Sequence, residues 1–182
     1  MPTPDAAVVL AGMMGSGKTA VGRRVAARLG CPYLDNDDRL LAATGMTPRD
    51  YARTAGLEAL HRLETDLLAE ALDHAPCVAA AAGGVVEDEE GRRLLAAAFV
   101  VWLRASPETL LLRARSGSHR PALGSDPEQA FADLARLRAP AYAAAADVVI
   151  GVDALDVEAV AAAVHEALLE RADPPVHRRG SR

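Results

Sequence analysis

Apolar residues in this chain fall into two kinds of segment. Short unbroken runs, such as AVVLA at 7–11 and FVVWL at 99–103, read as strands buried on both faces. Longer stretches repeat apolar positions every three or four residues and read as amphipathic helices. The pattern predicts strands at 7–11, 32–34, 77–81, 99–103 and 147–150. It predicts helices at 18–29, 57–73, 87–97, 107–115 and 128–137, with a last one over about 155–171. Strands that alternate with helices of this length imply a parallel sheet covered on both faces. The expected architecture is a three-layer α/β sandwich around a five-stranded parallel sheet.

Two stretches break the alternation. Residues 116–127 read SGSHRPALGSDP, rich in Gly, Ser and Pro, and separate two helices. Residues 173–182 are rich in Pro and Arg and are expected to be disordered. No repeat or linker divides the remainder, so residues 1–172 are expected to form one domain, a size able to bury a real core.

Composition then removes several classes. Hydrophobic residues make up 51% and aromatics only 3%, so the core must be built from Leu, Val and Ala. A net charge of −5, with no basic stripe carrying interleaved aromatics, argues against a nucleic-acid binder. Cys31 and Cys77 form neither a disulfide framework nor a zinc spacing and read as buried thiols in a reducing compartment. The N-terminal MPTPDAAVVLAG lacks the basic start of a signal peptide, and no apolar stretch reaches membrane-spanning length. A soluble, cytoplasmic protein is expected.

The chemistry begins at residues 12–19. GMMGSGKT fits the G-x-x-x-x-G-K-[ST] phosphate loop, and it follows a strand and opens a helix, as that motif requires. Gly12, Gly15 and Gly17 allow backbone N–H groups to turn inward around phosphates. Ser16, Lys18, Thr19 and Ala20 stand at the helix N-terminus, whose positive dipole end favours anions. Lys18 would reach the β- and γ-phosphates of ATP, and the Thr19 hydroxyl would ligate Mg²⁺. The chain has 19 arginines and one lysine, and that lysine is Lys18. A slim ammonium enters such a cradle where a planar guanidinium does not. No N-K-x-D element is present to read guanine, and the small size points to a kinase of small molecules.

In order and spacing, GMMGSGKTAVGRRVAARLG, LDNDD, GLEALHRLE, AGG, RP and RLRAPAY resemble the shikimate kinase family over about residues 7–165. The resemblance implies a P-loop fold of the nucleoside-monophosphate-kinase type, with a lid at about 116–126 and an acceptor-binding segment at about 44–70. It implies a monomer that transfers the ATP γ-phosphate to a hydroxyl of shikimate. Asp35 would help hold Mg²⁺ through water, and Asp37 would accept a hydrogen bond from the attacking hydroxyl. Arg120 resembles the lid arginine that closes over the phosphates, and Arg113 the residue that packs on adenine. Arg138 resembles the arginine that binds the acceptor carboxylate as a bidentate fork. Gly83 and Gly84 resemble the glycines that let the acceptor ring approach closely. Plainer readings stand beside these: an acidic turn capping the next helix for Asp35 and Asp37, and surface arginines for Arg113 and Arg120.

The sequence departs from the family on the acceptor side. His61 stands where the family has a second carboxylate-binding arginine, and Arg62 beside it points about 100° away on a helix. Ala82 replaces the first of three glycines, an aromatic expected near Ala52 is missing, and Ala122 stands where the family prefers Leu. A mostly neutral imidazole in place of an arginine removes a charge-assisted pair of about 1.5–3 kcal/mol. Glu64, one turn on from His61, would partly restore the cation if it raised the histidine's pKa. Two other readings therefore remain open here: a related kinase of another hydroxylated small molecule, and an ATP-binding protein without transfer activity.

Overall fold

A computed structural model describes residues 6–116 and 127–172 of the chain. Five strands, β1 (Val8–Ala11), β2 (Tyr33–Asp35), β3 (Val78–Ala80), β4 (Phe99–Arg104) and β5 (Val148–Gly151), form one sheet in the order β2-β3-β1-β4-β5. All pairings are parallel, as the strand–helix alternation requires. The helices are α1 (Lys18–Leu29), α2 (Asn36–Thr44), α3 (Pro48–Ala55), α4 (Leu57–Leu72), α5 (Glu89–Ala96), α6 (Pro107–Ser116), α7 (Pro127–Ala145) and α8 (Val157–Ala172).

Strand alternation divides the core between the two faces of the sheet. Val8 and Leu10 point to one face and pack with Val21 and Val25 of α1 and Val160 and Val164 of α8. Val9 and Ala11 point to the other, where Leu68 of α4, Leu95 of α5, Leu110 of α6 and Phe131 and Tyr142 of α7 cover them. Three layers result. In register, Leu10 and Asp35 both pair with Ala80, so the carboxyl ends of β1, β2 and β3 share one edge. Ligands of open parallel sheets bind at that edge, and the phosphate loop leaves β1 there.

Some boundaries differ from the pattern-based expectation. Helices α2 and α3 had no predicted counterpart, because α2 buries only Asn36 and Leu40 and α3 buries nothing fully. At nine and eight residues, each spans little more than two turns, too short for the helical period to stand out. Helix α7 continues through Pro140 to Ala145 instead of stopping at 137. A mid-helix proline removes one backbone bond, and here the last turns are held by Tyr142, which stacks on Trp102 with ring centroids 5.6 Å apart. Helix α5 begins two residues later than expected, because Asp88 caps it by accepting from the Gly91 N–H at 2.8 Å. Cys77 is buried and Cys31 half-buried, both as free thiols, and burial pushes both above the ordinary thiol pKa.

Candidate active site

Residues 12–17 bridge β1 and α1 in a loop only glycine can shape. Gly12, Gly15 and Gly17 all have positive φ. A Cβ on Gly15 would come within 2.4 Å of the Leu110 carbonyl oxygen, so the loop lies directly against α6. Among the described residues no side chain caps the N-terminus of α1, which leaves the N–H groups around Lys18, Thr19 and Ala20 for another acceptor. The Ser16 hydroxyl is buried without a hydrogen-bond partner among the described residues. An orphaned hydroxyl beside an uncapped helix start fits a phosphate group. Lys18 lies over the loop, its Nζ donating to Gly12 O at 2.8 Å and to Met13 O at 3.2 Å. Burial lowers its pKa, while Asp37 and Asp35 pull the other way.

Beside the loop, the Asp35 carboxylate collects three donors. The Thr19 hydroxyl donates to Oδ2 at 2.9 Å, the Tyr33 phenol to Oδ2 at 2.6 Å, and the Asp37 backbone N–H to Oδ1 at 3.0 Å. Asp35 thus caps α2 and also faces Thr19 across the site, so the capping and metal readings of the sequence coexist. A hydroxyl and a carboxylate held at contact distance are hard oxygen ligands suited to Mg²⁺, which completes its shell with phosphates and water. Among the described residues no group of three or more His, Cys, Asp or Glu side chains forms a metal site. Tyr33 was not foreseen as part of this corner. Burial and then Asp35 raise its phenol well above the ordinary value, so it serves as a donor.

The acceptor side forms around Gly83 and Gly84, which follow β3. A Cβ on Gly83 would lie 3.3 Å from Arg138 Nη1, and one on Gly84 would lie 3.1 Å from His61 Nε2 and 3.4 Å from Arg138 Nη2. The structure therefore brings His61 of α4, Arg138 of α7 and both glycines together, although they are far apart in sequence. Tyr142 fixes this floor by donating to Gly83 O at 2.7 Å, which gives the tyrosine of RLRAPAY a role the sequence reading lacked. Glu64 is 7% exposed, and its pKa is raised to about 7, first by burial and then by Asp37. It is close to half-protonated near neutrality, a poor source of the fixed negative charge that His61 was expected to borrow. Asp37 is half-buried at the start of α2, and its charge acts on both Lys18 and Glu64, between the phosphate and acceptor sides.

Arg113 sits on the nucleotide side, its Nη2 donating to Val152 O at 3.1 Å just past β5. Its neighbour Ala114 is among the groups a Cβ on Gly15 would touch. Asp38 pairs with Arg23 at 3.6 Å on the surface, and Arg62 turns outward to Glu58 at 3.0 Å, away from the glycine floor. Arg120 and most of the expected lid at 116–126 lie outside the described residues, as does the 173–182 tail.

A phosphate loop at the centre of a parallel sheet, facing a glycine-floored pocket across Asp37, is the layout of a P-loop small-molecule kinase. Comparison with known proteins narrows that class. The family model described as shikimate kinase matches residues 14–169. A shikimate kinase of Symbiobacterium thermophilum is 44% identical over 170 residues, covering 91% of this chain and 98% of that protein. One from Paramagnetospirillum magneticum is 40% identical, covering 91% and 86%. The solved shikimate kinase from Acinetobacter baumannii, in complex with shikimate, superposes with a TM-score of 0.88 at 30% identity, covering 93% and 96% of the two chains. The chain belongs to the shikimate kinase family, whose members are ATP-dependent kinases.

Proposed function

We propose that this protein transfers the γ-phosphate of ATP to the 3-hydroxyl of shikimate, with Mg²⁺, as a cytoplasmic monomer that needs neither nucleic acid nor membrane. The observation that carries the reading is the joining of an uncapped phosphate loop to a pocket where Arg138 faces Gly83 and Gly84. Among the described residues, no helix is long and apolar enough to cross a membrane.

Each residue then has a task set by its chemistry. Lys18 and the first N–H groups of α1 hold the β- and γ-phosphates, and Ser16 adds a hydroxyl to the cradle. Thr19 and Asp35 would hold Mg²⁺, which when bound neutralises phosphate charge. Asp37 accepts a hydrogen bond from the attacking hydroxyl and orients it along the line of transfer. Phosphoryl transfer asks little more than positioning and charge neutralisation, so one carboxylate at the nucleophile is sufficient. Arg138 pairs with the acceptor carboxylate, and Arg113 and Arg120 act on the nucleotide.

His61 offers an imidazole where the family offers a second guanidinium, which can pair with a carboxylate as a bidentate fork. Acceptor binding therefore rests more heavily on Arg138. The test is product identity: incubation with Mg²⁺, ATP and shikimate should give a phosphomonoester of shikimate by ³¹P NMR, matched by ADP. Absence of that resonance, with ATP bound, would overturn the reading.

A further inference from the structure

Arg138 does not face the acceptor pocket unpaired. Its Nη2 donates to Glu87 Oε2 at 2.7 Å, with Arg138 only 13% exposed and Glu87 33% exposed. Glu87 was expected to open a helix. The Asp88 cap instead leaves it in the turn after β3, with its own N–H donating to Gly84 O at 2.9 Å. Its carboxylate is thereby tethered to the same glycine floor that Arg138 fronts.

The guanidinium has no other open edge. Nη1 and Nη2 are the nitrogens nearest the glycine floor, Nη1 also touches Met13 Sδ at 3.9 Å, and Nε is buried without a partner among the described residues. An acceptor carboxylate that forks onto Nη1 and Nη2 must therefore share or take the nitrogen that Glu87 already holds. Around it, Glu64 and Asp37 are acidic, and Lys18 belongs to the phosphates. Beyond it lies a cleft of about 410 Å³ lined by His61, Thr65, Asp66, Asp88 and Glu87 itself, and by Arg62, whose guanidinium Glu58 holds at 3.0 Å. Two carboxylates on one guanidinium repel each other. Glu87 is exposed enough to swing into water, and because Arg138 is largely buried, giving up this pair costs more than giving up an exposed one.

We propose that Glu87 is a specificity-determining residue: an internal carboxylate seated on Arg138 that an anionic acceptor must displace, so that it sets the affinity for carboxylate-bearing acceptors. The inference rests on the reading that Arg138 takes the acceptor carboxylate. The displacement occurs on binding and is the same in the ground and transition states, so it enters KM and leaves kcat. An uncharged acceptor does not compete for Arg138 and is indifferent to it.

The experiment compares wild type with Glu87→Gln, which keeps the shape and removes the charge, and with Glu87→Ala. Shikimate and its neutral methyl ester are measured as substrates or competitive inhibitors, alongside calorimetric Kd values. For shikimate, KM and Kd should fall about three- to tenfold in both variants with kcat within about twofold, the size of one partly buried charge pair. For the ester the constants should stay within about twofold. An unchanged or raised KM for shikimate, or an equal fall for acid and ester, overturns the proposal.

Arg138→Gln separates the two claims. If it leaves shikimate affinity intact, the underlying reading fails and the proposal with it. If it weakens affinity while Glu87→Gln changes nothing, only the role of Glu87 fails. Should wild type bind no shikimate, binding gained by Glu87→Gln supports the proposal, and no binding by either ends both.

Discussion

The Asp35 carboxylate shows how one residue carries several duties. It caps α2 through Asp37, faces Thr19, and is held from behind by the Tyr33 phenol at 2.6 Å. Removing that phenol takes away one of the three donors that orient the Asp35 carboxylate. Tyr33→Phe should therefore raise the Mg²⁺ concentration for half-maximal activity about ten- to a hundredfold, the range for losing a partner that orients a metal ligand. An unchanged Mg²⁺ titration would remove Tyr33 from the site. Lys18→Ala should cut transfer at least about a hundredfold with the fold intact by circular dichroism, since it removes the charge reaching the transferred phosphate. Asp37→Ala should abolish product formation while ATP still binds, and surviving turnover would contradict its assignment. At this scale the sequence was most readable where a motif states its chemistry, as in residues 12–19. It was least readable where a role depends on a partner distant in sequence: Tyr142 meets Gly83, and Glu87 meets Arg138, only across the fold.

At the scale of elements, α1 must lie close enough to β2 for Thr19 to reach Asp35. Gly22 permits that approach, since a Cβ there would come within 2.3 Å of Tyr33 Cε2. Gly22→Ala should cost about 1–3 kcal/mol, as overpacking does, lowering the urea midpoint and raising the Mg²⁺ requirement together. A variant as stable as wild type would show that the ring can move aside. The strands and the long helices were legible because each buries a regular apolar pattern. Helix α3 buries no residue fully, and its signals are local ones the periodicity does not carry: Thr47 caps it by accepting from the Asp50 N–H at 3.2 Å, with Pro48 at its start and Gly56 after its end. The last turns of α7, beyond Pro140, depend instead on the contact of Tyr142 with Trp102, which no local pattern carries.

For the whole molecule, the parallel sheet gathers charge at one edge, and Glu64 registers the cost. Its pKa of about 7 lies above the ordinary carboxylate range, with burial the larger cause and Asp37 the next. A carboxyl whose folded pKa is raised binds its proton more tightly in the folded state. Its contribution is therefore favourable at low pH and is lost as pH rises from the carboxylate range through about 7. The full loss is about 3–4 kcal/mol. Urea midpoints of wild type and Glu64→Gln, compared from pH 5 to pH 8, should diverge with rising pH in favour of the variant. A constant gap would show that Glu64 does not titrate in that window. The three-layer order followed from the alternation of strands and helices, whereas the charge balance at the sheet edge emerged only with the fold.

The central claim concerns what the pocket accepts, because the phosphate loop is intact and the acceptor side carries His61 and Glu87. Initial rates of ADP release by the purified protein, measured against shikimate concentration with saturating ATP and Mg²⁺, address it most directly. The account predicts saturable turnover that depends on shikimate and ceases when Mg²⁺ is chelated. ATP binding with no shikimate-dependent ADP release would contradict it and would mean that the pocket around Arg138 serves another acceptor.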